Sequence, residues 1–196
     1  VDITVPADTP HVTFRGSLAN SRLAFEAGRG RVAFIGGSIT EMDGYRPRVM
    51  KSLQRRFPAT RFDVVAAGIA STCSTTGAFR LKEDVLDKGP VDLLFIEFAV
   101  NDDQDAHHGP EQCIRGLEGI VRQAWRHNPD MDLVVTYFVN EGMLETFKTG
   151  GEPLSSRSHE KVLVRYDVSG VALNRDVAQR IAAGRLTWKQ FGGVHP

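Results

Sequence analysis

Residues 31–40 read Arg-Val-Ala-Phe-Ile-Gly-Gly-Ser-Ile-Thr, and this stretch decides the fold. A short apolar run rich in β-forming residues stops at two glycines and is followed at once by Ser38. Such a run predicts a buried parallel strand, and the glycines permit the backbone angles of a sharp turn from strand to helix. Ser38 is therefore predicted at the apex of that turn, where a nucleophile is presented. Similar turns also bind phosphate, so residues at the ends of the other strands must distinguish the two functions.

Outside this stretch, apolar β-type runs alternate with segments of helical periodicity. The predicted strands are residues 31–35, 62–66, 91–98, 131–138 and 170–173, and the predicted helices are residues 46–57, 77–86, 110–128, 155–166 and 174–183. Strands that are apolar on both faces and joined by helical crossovers predict a five-stranded parallel sheet covered by helices on each side. The expected fold class is α/β, a three-layer α/β/α sandwich.

Residues 1–30 are rich in turn formers and are predicted to form an N-terminal arm, which leaves residues 31–196 as one domain. Long irregular connections are expected at residues 139–154 and 184–196. The chain begins with valine instead of methionine, so removal of a leader or an upstream segment is an open alternative.

The composition restricts the class of partner. Lys+Arg and Asp+Glu are equal at 24 each, so no net charge attracts nucleic acid, and a small or neutral molecule is the expected partner. No apolar run approaches the ~20 residues that cross a bilayer, which predicts a soluble protein. Two cysteines, Cys73 and Cys113, are too few to indicate a disulfide framework or a metal site. The compartment stays open, with secretion or a periplasmic location among the options, and so does the oligomeric state.

Polar or small residues follow directly after three of the predicted strands. Gly37 and Ser38 follow the first strand, Gly68 follows the second, and Asn101 follows the third, while His195 lies in the last irregular segment. Ligands of open parallel sheets bind beyond the carboxyl ends of the strands, so these residues are expected to meet. A serine hydroxyl needs a base, which His195 supplies, and the oxyanion needs donors. The backbone N–H groups of Ser38 and Gly68 and the side-chain amide of Asn101 are the candidate donors.

These residues resemble the four blocks of the SGNH (GDSL-like) hydrolases, a family of esterases and lipases. The matching blocks are Gly36-Gly37-Ser38-Ile39-Thr40, Ala66-Ala67-Gly68-Ile69, Ala99-Val100-Asn101-Asp102 and Val194-His195-Pro196. The resemblance implies a flavodoxin-like α/β/α fold, Ser38 as nucleophile, His195 as base and an oxyanion hole of Ser38, Gly68 and Asn101. It implies no cofactor.

The sequence departs from the family pattern at two places. The family's histidine block carries an acid three residues before the histidine, and here that position is Gly192. A Ser-His dyad oriented by a backbone carbonyl, or an acid supplied by Glu41, Asp102 or Asp103, are the open alternatives. The family also continues into a final helix, whereas this sequence stops at Pro196, so the domain is expected to lack that helix.

Other polar residues near the predicted strand ends are candidates for lesser roles. Glu41, Asp102 and Asn140 are predicted to contact substrate. A cluster of acids and histidines at residues 103–108 has metal-ligand chemistry, but a solvated polar loop explains it better, and no metal is expected. Glu97 stands inside a predicted buried strand, so it is expected to be paired, protonated or at the sheet edge, and a structural partner such as an arginine is the usual answer.

The function predicted from the sequence is that of a serine esterase that hydrolyses a small ester through an acyl-enzyme intermediate. Polar residues around the serine and the lack of a long apolar flank favour a short acyl group, such as acetyl on a carbohydrate. A non-catalytic carbohydrate- or ligand-binding module on the same fold, or an acyl hydrolase of lipase or thioesterase type, are the alternatives. A nucleotide-binding protein is a further one, although the Gly-Gly-Ser turn lacks the Gly-Lys-Ser/Thr ending of a P-loop.

Overall fold

The computed structural model describes residues 11–191. Within that range the strands form one sheet in the order β1-β6-β5-β4-β2-β3. The strands are β1 (Val12–Thr13), β2 (Arg29–Gly36), β3 (Arg61–Gly68), β4 (Leu93–Glu97), β5 (Asp132–Thr136) and β6 (Ser169–Val171). Strands β2 to β6 are mutually parallel, which confirms the predicted five-stranded parallel sheet. The antiparallel pairing of β1 with β6 adds a sixth strand, and its two residues are too short to show a periodicity.

Helices cover both faces of the sheet. They are α1 (Ala19–Glu26), α2 (Ser38–Glu41), α3 (Tyr45–Arg56), α4 (Ser74–Asp84), α5 (Ala99–Gln104), α6 (Pro110–His127), α7 (Glu141–Lys148), α8 (Leu154–Tyr166), α9 (Leu173–Ala182) and α10 (Trp188–Phe191). All five predicted helices are present, as α3, α4, α6, α8 and α9. Helix α1 lies in the stretch predicted as an arm, and α7 and α10 lie in segments predicted as irregular. These helices are short, so their periodicity spans about two turns or fewer.

Alternate residues of β2 face opposite layers, as the strand geometry requires. Ala33 and Ile35 belong to the larger apolar core, which is built with α4, α6 and α8. Val32 and Phe34 belong to a smaller core on the other face, with Phe25 of α1 and partly buried residues of α3. This alternation explains why the sequence of β2 is continuously apolar, and it gives the three-layer α/β/α sandwich that the sequence predicts.

The strand order places the ends of three strands side by side. Strand β2 lies between β4 and β3, and in the parallel register Gly36 pairs with both Gly68 and Glu97. The segments that leave the carboxyl ends of these strands therefore start from neighbouring points. This edge of the sheet is where the predicted catalytic residues from three separate parts of the sequence are brought together.

Candidate active site

Ser38 is the first residue of α2, immediately after β2. We refer to residues 37–40 as the serine turn. The carbonyl of Gly37 accepts hydrogen bonds from the N–H groups of Thr40 (3.1 Å) and Glu41 (2.9 Å), which closes the turn. The N–H groups of the first helical turn have no acceptor within the helix, so the Ser38 N–H is available to a ligand. The side chain of Ser38 is partly exposed.

Gly36, the residue before the serine turn, has to be glycine for steric reasons. A Cβ atom there would lie 2.1 Å from Thr40 Oγ1 and 2.6 Å from the carbonyl oxygen of Glu97. The absence of a side chain lets the turn fold back over the end of β2, where Thr40 is fully buried. The paired glycines that stood out in the sequence therefore serve a close backbone approach.

Gly68 ends β3 and lies directly against the serine turn. A Cβ atom on Gly68 would lie 2.2 Å from the backbone nitrogen of Glu41 and 2.4 Å from the carbonyl carbon of Thr40. The next residue, Ile69, donates its N–H to the carbonyl of Gly36 at 3.1 Å. These contacts hold the backbone after β3 beside the backbone after β2, as an oxyanion hole shared by Ser38 and Gly68 requires.

Asn101, in α5, places its side-chain amide on the other side of the turn. The residue is buried, and a Cβ atom on Gly37 would lie 2.0 Å from Asn101 Oδ1 and 2.6 Å from its Nδ2. Nδ2 donates one hydrogen bond to Asp105 Oδ2 at 2.9 Å. An amide nitrogen carries two hydrogens, so the second remains available to a developing oxyanion. The structure thus places Gly68 and Asn101 beside the turn that carries Ser38, and the roles of all three remain predictions from the sequence.

The predicted base, His195, and Gly192, the position of the missing family acid, lie outside the described residues. The role of His195 and the nature of the group that orients it therefore remain predictions from the sequence.

Two of the predicted substrate-contacting residues organise loops at the same edge of the sheet. Glu41 is exposed, and its Oε2 accepts a hydrogen bond from the N–H of Ala70 at 3.2 Å, which links α2 to the loop after Gly68. Asn140 caps α7 by accepting from the N–H of Met143 at 2.8 Å, and its Nδ2 donates to Asp103 Oδ2 at 3.0 Å. Both side chains are accessible enough to remain candidates for substrate contact.

The third, Asp102, is not placed where the sequence predicted. It is fully buried, and its carboxylate accepts hydrogen bonds from the backbone N–H of Ser74 (2.7 Å), Ser74 Oγ (2.7 Å) and His159 Nε2 (2.9 Å). Burial raises the pKa of Asp102, but the hydrogen bonds from His159 and Ser74 outweigh that effect, so the pKa is lowered overall. Asp102 ties the helix that carries Asn101 to α4 and α8 and has no face open to substrate.

Ser74, Asp102 and His159 have the residue types of a catalytic triad without its geometry. The serine hydroxyl bonds to the carboxylate instead of the imidazole, and all three side chains are buried. A catalytic serine must bond to its base, and the base to the acid. We therefore interpret this trio as a structural network, and periodicity in the sequence gives no signal of it.

Two groups of side chains in the described range have a spacing compatible with a metal ion, and both include Asp102. One adds Cys73 and His108, and the other adds Cys113 and His159. Burial, together with the charge of Asp102, raises the pKa of Cys113 to about 12, which opposes the thiolate that a metal would need. Since the oxygens of Asp102 already accept three hydrogen bonds, hydrogen bonding explains these groups.

Glu97, the last residue of β4, is fully buried, and its partners are not the arginine that the sequence led us to expect. Thr40 Oγ1 donates to its Oε2 at 3.0 Å, and the backbone N–H of Gly37 lies near enough to the same carboxyl group to affect its pKa. Burial raises the pKa of Glu97 to about 7, the charge of Asp102 adds to the increase, and the bonds from Thr40 and Gly37 oppose it.

Arg80 of α4 is a site residue that the sequence analysis missed. Its guanidinium donates to the carbonyl of Gly36 at 2.9 Å and to that of Ala67 at 2.8 Å, and it pairs with Asp84 at 2.9 Å. It therefore binds the last carbonyl groups of two neighbouring strands. An arginine on a partly polar helix does not reveal such contacts, because they depend on where the helix packs.

Residues 34–196 match the model of the GDSL-like Lipase/Acylhydrolase family. No significant match was found among curated proteins. None of the helices within residues 11–191 has both the length and the apolar character needed to cross a membrane.

Several solved structures have the same fold. A two-domain esterase (CEX) active on acetylated mannans is 26% identical with a TM-score of 0.73, over 90% of this chain and 47% of the esterase. This chain therefore spans about half the length of that esterase. A putative GDSL-like lipase from Parabacteroides merdae (18% identity, TM-score 0.71, 86% and 88% covered) is similar in fold. So is a catalytic mutant of the acetylxylan esterase Axe2 from Geobacillus stearothermophilus (21%, 0.63, 86% and 88%).

Proposed function

Because the chain belongs to the GDSL-like Lipase/Acylhydrolase family, we propose that it is a serine esterase that hydrolyses a small ester through an acyl-enzyme intermediate. The observation that carries this proposal is the convergence of three groups at one edge of the sheet. Ser38 begins a helix, Gly68 packs against the backbone of that helix, and the Asn101 amide lies against Gly37. A hydroxyl beside two backbone N–H groups and an amide donor is the arrangement that acyl transfer requires.

In the first half of the reaction, His195 accepts the proton of the Ser38 hydroxyl while the oxygen attacks the ester carbonyl carbon. The carbonyl oxygen becomes an oxyanion and accepts hydrogen bonds from the N–H groups of Ser38 and Gly68 and from Asn101 Nδ2. The tetrahedral intermediate then collapses: the bond to the alcohol oxygen breaks, and the protonated imidazole returns the proton to the departing alcohol. The acyl group remains on Ser38.

In the second half, water takes the place of the alcohol. The neutral imidazole accepts a proton from the water as it attacks the acyl carbon, and the same three donors stabilise the second oxyanion. Collapse of this intermediate breaks the bond to Ser38 Oγ, and the imidazolium returns the proton to the serine. The carboxylic acid leaves, and the enzyme is regenerated without a cofactor.

We assign an acetyl ester of a carbohydrate as the substrate class. The similar two-domain esterase is described as active on acetylated mannans. The rim residues Glu41 and Asn140 carry hydrogen-bonding groups suited to sugar hydroxyls. Met42, just after the serine turn, and Ile69, just after Gly68, have exposed side chains that provide apolar contact for a methyl group or the face of a sugar.

Labelling with a fluorophosphonate probe tests the nucleophile, since the probe reacts with an activated serine. Wild type should be labelled and should hydrolyse p-nitrophenyl acetate, whereas Ser38→Ala should show neither activity, with kcat reduced by a factor on the order of 10⁴ or more. Ser52→Ala, which removes an exposed helical serine on α3, is the matched control and should behave as wild type. Equal labelling of wild type and Ser38→Ala would refute the assignment.

The acyl preference is measured separately, with p-nitrophenyl esters of increasing chain length and with acetylated mannan and xylan oligosaccharides. We expect kcat/KM to be highest for acetyl and to fall with every added carbon. A preference for long acyl chains would instead identify a lipase-type acyl hydrolase. Binding of the oligosaccharides without hydrolysis would identify a binding module.

A further inference from the structure

Glu97 is a buried titratable group in contact with the serine turn, and the reaction described above does not use it. The residue is completely inaccessible at the carboxyl end of β4, paired in register with Gly36. A carboxylate removed from water costs several kcal/mol unless it is paired or accepts hydrogen bonds. Interactions within the protein must therefore compensate the cost of burying this carboxyl group.

The carboxyl group of Glu97 faces both ends of the serine turn. The hydroxyl of Thr40, at the end of the turn, donates to Glu97 Oε2 at 3.0 Å. The backbone N–H of Gly37, at its start, lies near enough to the same carboxyl group to lower its pKa. Ser38 lies between these two residues in the chain. The last residue of β4 thus holds the segment that carries the nucleophile, through a hydrogen bond to Thr40 and proximity to the Gly37 N–H.

The hydroxyl of Thr40 has a second partner, Tyr45 of α3, at 3.2 Å. The Thr40 hydroxyl has a single hydrogen, which it donates to Glu97. The Tyr45 hydroxyl is therefore the donor in this second bond. The other carboxyl oxygen of Glu97, Oε1, is buried without a hydrogen-bond partner among residues 11–191. That oxygen is where a proton would reside in the neutral form of the acid.

Hydrogen bonds to an ionised acceptor are stronger than those to a neutral one. The strength with which Glu97 holds the serine turn therefore depends on its charge. Resting on the esterase function proposed above, we propose that Glu97 is a positioning residue: its ionised carboxylate fixes the serine turn for attack, and protonation loosens that turn. The acid-base state of a side chain that never touches substrate thereby adjusts the rate.

The surroundings of Glu97 favour a titration near neutral pH. Burial raises its pKa to about 7. The charged or titratable groups that face it are Asp102 from α5, whose negative charge adds to the increase, and Tyr45 from α3, whose own pKa is raised by burial. Arg46 lies beside Tyr45, and Arg80 of α4 binds the Gly36 carbonyl, so in the described range neither guanidinium forms an ion pair with Glu97.

Glu97→Gln is the informative variant, because glutamine has the shape and the charge of the protonated acid. We would measure kcat and KM for p-nitrophenyl acetate from about pH 5.5 to about pH 9 and take the ratio of wild type to variant at each pH. Titration of His195 affects both proteins and cancels in the ratio. The kcat ratio should be close to one at low pH and should rise to about tenfold at high pH, with KM little changed.

Asp132→Asn is the matched control. Asp132 Oδ2 also accepts from a backbone N–H and a hydroxyl, those of Ser21 (2.8 and 2.6 Å), but at the start of β5, at the opposite edge of the sheet. Its kcat ratio should show no dependence on pH. A ratio for Glu97→Gln that is constant across the range, or that Asp132→Asn reproduces, would overturn the inference. If Ser38→Ala retains activity, the esterase proposal itself fails, and this outcome is independent of the ratio.

Discussion

At the scale of single residues, the candidate site contains two buried carboxylates with opposite responses to their surroundings. Asp102 accepts enough hydrogen bonds to lower its pKa despite burial, whereas burial dominates at Glu97 and raises its pKa to about 7. Carboxyl groups whose surroundings shift their pKa values in opposite directions are typical of functional sites. Here neither acid is open to substrate, so both act through the residues that they hold: Asp102 through the helix of Asn101, and Glu97 through the serine turn.

The exposed Asp105 is expected to affect the rate through Asn101. Its carboxylate accepts from Asn101 Nδ2 at 2.9 Å and fixes the rotation of the amide. Asp105→Ala should lower kcat for p-nitrophenyl acetate by roughly threefold to tenfold, because the hydrogen bond that orients the Asn101 amide is worth about 1 kcal/mol. The thermal midpoint should stay almost unchanged. Asp105→Asn keeps an acceptor and should lose less. The exposed Asp130 provides a control, Asp130→Ala, which should match wild type; identical kcat values for all four proteins would exclude this role.

At the scale of elements, the serine turn depends on glycines that allow backbones to touch. In Gly68→Ala the new Cβ would lie 2.2 Å from the backbone nitrogen of Glu41, so α2 must move. A displacement near 1 Å typically costs about 10²-fold in rate, and we expect kcat/KM to fall by that order. Gly44→Ala, with no atom within 4 Å of the new Cβ, is the matched control and should retain activity. Activity that survives in Gly68→Ala would show that the close contact is unimportant.

The elements also show how far the sequence predicts the structure. The five parallel strands and five longer helices follow from periodicity, because each extends over enough residues to show its pattern. The strand ends, and with them Ser38, Gly68 and Asn101, follow from the α/β class, because ligands bind at one edge of such a sheet. Helix α7 and the buried partners of Asp102 and Glu97 could not be predicted in this way. They depend on packing between segments far apart in the chain, as in the contact of His159 with Asp102.

At the scale of the whole molecule, Glu97 should make stability depend on pH. Its pKa is raised from 4.5 to about 7 in the folded state, so the folded protein binds this proton more tightly than the unfolded chain. The stability that the bound proton contributes is fully present below pH 4.5 and is lost as the pH rises through about 7. The lowered pKa of Asp102 acts in the opposite sense, but in the acid range, where its contribution is lost as the pH falls. Between about pH 5 and pH 8.5 the effect of Glu97 should therefore dominate.

Urea denaturation of wild type and Glu97→Gln at these two pH values measures the effect. The free energy of unfolding of wild type, relative to the variant, should fall by about 3 kcal/mol on going to the higher pH, because each tenfold difference in proton affinity between the folded and unfolded chain is worth about 1.4 kcal/mol. Parallel dependences for the two proteins would contradict the burial of an ionised Glu97. At alkaline pH, Glu97→Gln should therefore be more stable than wild type and also slower. Both effects have one cause, because the buried charge that lowers the stability of wild type is the charge that fixes its serine turn.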